Sequence, residues 1–141
     1  MTEDLIALPS VDDYASAFTE VKDKITPKQL ELLRFHHAQP GRAASASTMA
    51  RAVGFESFSA VNVQYGKLAR LVAEAAGLEL AEHVKVGALV QFVHPDQAAN
   101  EHFLWLMREN VAIALENLGW VPRVSQYLYP ELALKRLSTI E

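Results

Sequence analysis

Residues 60–76 contain polar and cationic side chains of the kinds that contact nucleic acids. Lys67 and Arg70 are cations of the kind that bind phosphates and base edges. Asn62 and Gln64 carry amide groups, which form paired hydrogen bonds with adenine. This stretch therefore indicates the chemistry of nucleic-acid binding, with an ordinary solvated helix face as the alternative interpretation.

A helix over 60–76 would direct most of these side chains away from its apolar stripe, at about 100° per residue. Gly66 falls on the outward side, where a glycine costs about 1 kcal/mol relative to alanine without any core packing to explain it. Close approach of DNA to the backbone is one explanation, and a kink or a chance glycine is the other. The predicted DNA-binding set is Arg51, Ser59, Asn62, Gln64, Gly66, Lys67 and Arg70.

Other chemistries find little support in the residue types and their spacing. His36 and His37 are adjacent, so on a helix they point about 100° apart and cannot chelate one ion together. The remaining histidines are scattered without a metal-ligand spacing, and the chain has no cysteine. His94 and Asp96 could form an acid–base pair but fit an ordinary turn. No nucleophile elbow, phosphate loop or dinucleotide motif occurs, so we expect no enzyme, metal or cofactor.

The charge of the chain is unevenly distributed. Its 141 residues carry a net charge of −4, which argues against a general polyanion binder and places any DNA contact in a local patch. Residues 25–76 hold six basic and three acidic residues, a net charge of +3, whereas 1–24 and 77–141 are acidic. No apolar run reaches the roughly 18 residues of a membrane span, so we expect a cytoplasmic protein without membrane contact.

Local signals predict several helices and two strands. Ser10, followed by Asp12 and Asp13 in the next turn, is typical of a capped helix start that matches the helix dipole, and Thr26 with Gln29 has the spacing of a capping box. Gly54 and Gly77 are typical helix stops. Alternating apolar residues after position 84 predict strands. The predicted helices are 11–24, 27–38, 45–53, 60–76 and 109–118, with a short one after Pro130; the predicted strands are 86–93 and 102–107.

This order predicts a mainly α (α+β) fold: a helix-turn-helix followed by a two-stranded hairpin, which is a winged helix with a C-terminal helix. We expect a single domain over 1–141, with its core at 14–121 and a tail at 122–141. Trp105 is expected between the hairpin and the helices. Tyr127 and Tyr129 in the tail could cover a protein partner or a second copy of the chain.

Three segments resemble a bacterial domain that occurs fused to HNH endonucleases of modification-dependent restriction systems. The family pattern ITPxQLxxLRxHY is similar to ITPKQLELLRFHH at 25–37, and xxNLxYGxLG to AVNVQYGKLA at 60–69. A third segment, LRPEVxxALxxLGWV, is similar to LMRENVAIALENLGWV at 106–121, where Asn110 replaces the proline. The resemblance covers about 14–121, and 141 residues leave no room for the nuclease.

The resemblance implies a winged-helix reader of double-stranded DNA, with modified bases as one class of target. A stand-alone copy would serve as a regulator of transcription or defence. The alternative hypothesis is a protein–protein interaction module, such as a phage or plasmid anti-defence inhibitor or an adaptor, to which the acidic flanks are suited. DNA binding needs the basic block exposed, whereas an adaptor would bury it or pair it with the acidic ends.

Overall fold

The computed structural model describes residues 8–78, 86–93 and 104–123. Within these ranges the fold is mainly helical with a small three-stranded antiparallel sheet, which confirms the predicted mixture of many helices and few strands. The helices are α1 (Val11–Val21), α2 (Pro27–Ala38), α3 (Ala46–Val53), α4 (Phe58–Ala76) and α5 (Glu109–Asn117); the strands are β1 (Ala43–Ser45), β2 (Val90–Val93) and β3 (Leu104–Met107).

The helix starts follow the local capping signals. Ser10 Oγ accepts a hydrogen bond from the Asp13 amide at 3.1 Å, and Thr26 Oγ1 accepts one from the Gln29 amide at 3.1 Å. Both caps are reciprocal boxes, which satisfy amide groups that a helix start leaves unpaired. The first helix is shorter than predicted, because its last turn tightens into a 3₁₀ turn at Lys22–Lys24.

The sheet differs from the predicted hairpin by one strand. Its order is β1-β3-β2, so β3 is the central strand and β1 adds a third. In this register Trp105 of β3 is paired with Ala44 of β1 on one side and with Phe92 of β2 on the other. Three residues carry too little alternation to predict β1 from the sequence.

The predicted strand at 86–93 is wrong in its first half. Residues 86–88 form a 3₁₀ turn, and β2 begins only at Val90. The Tyr14 hydroxyl donates a 2.6 Å hydrogen bond to the Ala88 carbonyl oxygen, so that carbonyl faces α1 rather than a neighbouring strand. Burial of the phenol raises the pKa of Tyr14 to about 12, which keeps the donor protonated.

The core lies between the five helices and the sheet. Its α4 contribution is the apolar stripe predicted from the sequence, of which Val61, Tyr65, Leu68 and Val72 are buried. Trp105 is only 4% exposed, and its ring centroid lies 5.4 Å from that of Tyr65. The predicted position of Trp105 between the hairpin and the helices is therefore confirmed.

Several predicted features lie outside the described residues. These are the turn between β2 and β3, the tail with its short helix and two tyrosines, and three of the five histidines: His83, His94 and His102.

Candidate functional site

Helix α4 presents most of the predicted DNA-binding residues on one exposed face. It is 19 residues long and begins at Phe58, two residues earlier than predicted, so Ser59 lies within its first turn. The side chains of Ser59, Asn62, Lys67 and Arg70 are exposed. Since the opposite side of α4 is buried in the core, substitutions on this face leave the core contacts intact.

Gly66 lies on the same exposed face. A methyl group built at its Cβ position would meet nothing within 4 Å, and its φ is outside the left-handed region. Neither packing nor backbone geometry therefore requires glycine here. The expectation that core packing cannot explain Gly66 is confirmed.

Gln64 is separated from the other predicted residues. It lies about 200° around the helix from Asn62, on the side that faces α2. There its Oε1 accepts a 3.3 Å hydrogen bond from Gln29, whose side chain is buried. Gln64 thus contributes to the packing of α2 against α4, and a DNA-facing role would require it to give up this contact.

Arg51, the last predicted residue, is exposed on α3, which packs against α4. The connection between the two helices is held by Lys28, whose ammonium group donates to the carbonyl oxygen of Val53 at the end of α3. The same ammonium group lies 5.8 Å from the ring centroid of Phe55. A cation at this helix end also interacts favourably with the helix dipole.

The basic block at 25–76 is not one exposed patch. Arg42 is 0% exposed, and Arg34 Nε donates a 3.1 Å hydrogen bond to the carbonyl oxygen of Trp120. Lys28 is half exposed, and its ammonium group contacts both the carbonyl oxygen of Val53 and, at 3.6 Å, the carboxylate of Glu31. The exposed cations of α3 and α4 are Arg51, Lys67 and Arg70, accompanied by the exposed acids Glu56 and Glu74 between and beyond them. The net charge of the block therefore overstates the positive charge of this surface.

Val63 is an exposed residue that the predicted set left out. Its side chain is 52% exposed, whereas Val61, Leu68 and Val72 of the apolar stripe are buried. Helical phase already places Val63 opposite the apolar stripe, so the signal was present in the sequence. The predicted set contains the polar residues and the glycine of this face, and it does not contain Val63.

A buried ionic cluster forms around Glu116. Glu116 Oε2 accepts a 3.0 Å hydrogen bond from the Arg42 guanidinium and a 2.8 Å one from His37 Nε2. Arg42 also donates to the His37 carbonyl oxygen at 2.9 Å. Its own φ of 58° lies in the left-handed region, which an arginine rarely adopts. The cluster joins α2, the turn before β1 and α5, and no local sequence signal predicts it.

His36 takes part in a separate buried network. Its Nε2 donates a 2.7 Å hydrogen bond to the carbonyl oxygen of Trp105, and its Nδ1 accepts a 2.8 Å one from the Tyr65 hydroxyl. A carbonyl oxygen can only accept, which assigns the proton to Nε2. The two adjacent histidines thus face different partners, and the described ranges hold no group of three metal-ligating side chains.

Acidification is expected to destabilise the fold through these histidines. Burial lowers the pKa of His36 from 6.5 to about 4, and burial also lowers the pKa of His37. The unfolded chain therefore binds protons below pH 6.5 that the folded chain does not, so stability falls as the pH drops from 6.5 to about 4. For His36 alone the loss approaches about 3 kcal/mol, at about 1.4 kcal/mol per pKa unit.

Urea unfolding at a series of pH values measures this effect. The variant His36→Gln has an amide that can replace the donor and the acceptor of the ring but does not titrate. Its stability should therefore change less than that of the wild type between pH 6.5 and about 4. Equal pH dependence in both proteins would contradict the assignment to His36.

Comparison of the chain with family models, with curated proteins and with solved structures found no match. None of the helices in the described ranges combines the length and the hydropathy that crossing a membrane requires.

Proposed function

We propose that the chain is a non-catalytic, cytoplasmic DNA-binding protein with a winged-helix fold. The element order α2-β1-α3-α4-β2-β3, with β3 between β1 and β2, supports this fold. In it, α3 and α4 form the helix-turn-helix, and α4 is the helix that enters the major groove. The β2–β3 hairpin takes the place of the wing.

The observation that carries the proposal is the exposed face of α4. It combines two cations, Lys67 and Arg70, with the amide of Asn62 and with open space at Gly66. Cations fix a protein on the phosphates, amides read base edges, and a missing side chain permits close approach. Ser59 and Arg51 extend the same chemistry towards α3. The resemblance to a restriction-associated domain adds modified duplexes as a target class.

Charge reversal on α4 tests the proposal. Lys67 and Arg70 point away from the core, so Lys67→Glu with Arg70→Glu should leave the thermal unfolding transition close to that of the wild type. Duplex binding should be lost at moderate salt. In a plot of log affinity against log salt concentration, the wild type should show a slope of about −0.9 per neutralised phosphate. If the variant still binds, its slope should be shallower by about two units, because two phosphate contacts are lost.

A matched control carries the same change of net charge elsewhere. Lys22 and Lys24 are exposed in the turn after α1, so Lys22→Glu with Lys24→Glu should bind duplex like the wild type. Equal loss of binding in both double variants would show that only the net charge matters. A wild-type protein that fails to bind duplex at low salt would reject the DNA proposal.

One observation favours the alternative of a protein–protein module. Arg42 is buried against Glu116, so one cation of the basic block is paired with an acidic residue of the C-terminal third. This pairing is the one expected of an anti-defence inhibitor or adaptor. Lack of duplex binding, together with capture of a defence complex or a second copy of this chain, would support that function.

A further inference from the structure

Val63 and Gly66 together form an apolar notch within a polar surface. Val63 is 52% exposed, and Gly66 follows it by three residues, which places both on one face of α4. A Cβ atom built at Gly66 would meet nothing within 4 Å, so the bare backbone there borders open space. Ser59 and Lys67 are exposed one turn before and one turn after Val63, and they border the notch.

The stability of the helix does not require this arrangement. A glycine inside a helix costs about 1 kcal/mol relative to alanine, and an alanine at position 66 would meet no neighbour. Valine is also a weaker helix former than the straight-chain residues that usually occupy exposed positions. The two positions therefore combine an exposed apolar side chain at Val63 with a bare backbone at Gly66, to which a ligand can approach closely.

We propose that Val63, with the bare backbone at Gly66, contacts the C5-methyl group of a pyrimidine in the major groove; this inference rests on the proposed DNA binding. The C5-methyl group is the apolar feature that the major groove presents, and an aliphatic side chain is its complement. The exposed cations Lys67 and Arg70 on the same face favour a polyanion over an apolar protein surface as the occupant.

Asn62 makes an A·T pair the favoured target. It is exposed next to Val63, and a side-chain amide forms paired hydrogen bonds with adenine N6 and N7. The thymine opposite that adenine carries its methyl group in the same groove. Thymine and 5-methylcytosine present the same methyl group, so the experiment must distinguish the two sources.

Three random-sequence duplex pools separate these sources. The first contains thymine and cytosine, the second uracil and cytosine, and the third uracil and 5-methylcytosine. Duplexes are enriched from each pool by binding to the wild-type protein, and their affinities are measured at one salt concentration. The methyl-free duplexes should bind about 3–5-fold more weakly, which corresponds to one buried methyl group. A higher affinity in the first pool than in the second identifies thymine as the source of the methyl group. A higher affinity in the third pool than in the second identifies 5-methylcytosine.

Two variants assign the effect to the notch. Val63→Ala should bind methylated and methyl-free duplexes equally, with the salt dependence of the wild type, because its phosphate contacts remain. Gly66→Ala should do the same while raising the unfolding temperature, since it fills the notch and favours the helix. Leu8→Ala removes an exposed apolar side chain outside α4 and should keep the preference of the wild type.

The outcomes distinguish this inference from the proposed function. If the wild type binds duplex with a steep salt dependence but shows no methyl preference, or if Val63→Ala keeps that preference, the methyl contact is overturned and DNA binding stands. Absence of any duplex binding would overturn both.

Discussion

Glu116→Gln is expected to lower the free energy of unfolding by about 3–5 kcal/mol, because it removes the carboxylate that pairs with the buried Arg42 guanidinium at 3.0 Å. The carboxylate is 6% exposed and Arg42 is 0% exposed, so water cannot easily replace the lost partner. The amide is nearly the same size as the carboxylate, which excludes a cavity as the cause. A domain is usually stable by only about 5–15 kcal/mol, so the loss is a large fraction of the total.

Urea unfolding measures this loss, and two further variants define its origin. Glu109→Gln makes the same change at an exposed position of α5 and should cost less than about 1 kcal/mol, mainly through the helix dipole. Arg42→Met combined with Glu116→Gln removes the buried cation together with the carboxylate and should recover much of the loss. If Glu116→Gln costs no more than Glu109→Gln, the cluster does not contribute as the structure indicates.

Trp105→Ala is expected to destabilise the protein by about 3–5 kcal/mol, the range for removing a large aromatic side chain from a core. Trp105 lies on the central strand of the sheet, and its ring packs at 5.4 Å from the ring of Tyr65 on α4. The hydrogen bond from His36 goes to the Trp105 backbone, so it is retained in the alanine variant. The expected loss is therefore one of packing.

The free energies of unfolding of Trp105→Ala and of the control Leu104→Ala, measured by chemical denaturation, test whether the loss comes from packing. Leu104 is the neighbouring residue on β3 and is 38% exposed, so its truncation should cost less than about 1 kcal/mol. An unchanged midpoint in Trp105→Ala would mean that the ring is accessible to solvent, and Trp105 would then become an interaction residue.

The His36 network bears on how α4 is held. Tyr65 is on the buried side of α4, where it contacts the His36 ring and the Trp105 ring. The exposed face with Lys67 lies on the opposite side of the same helix. Variants that loosen Tyr65 should therefore weaken DNA binding through the position of α4, without changing any residue on the proposed interface.

Local hydrogen bonds explain how much of the helical framework could be predicted from the sequence. The caps at Ser10 and Thr26 join residues three apart, and the stops at Gly54 and Gly77 need only a left-handed residue at a helix end. The 3.6-residue period likewise placed the α4 stripe inside and Lys67 outside. All of these depend on neighbours within about one helical turn.

Only the tertiary structure decided which charges of the basic block are buried and which are exposed. Arg42 and Glu116 are 74 residues apart in the chain, and Arg34 contacts Trp120 across 86 residues. The fold brings these groups together, buries the first pair and leaves Lys67 and Arg70 exposed on α4. The same applies to β1, whose three residues form a strand because β3 offers its edge. Such pairings depend on how the elements pack, which residue spacing along the chain does not specify.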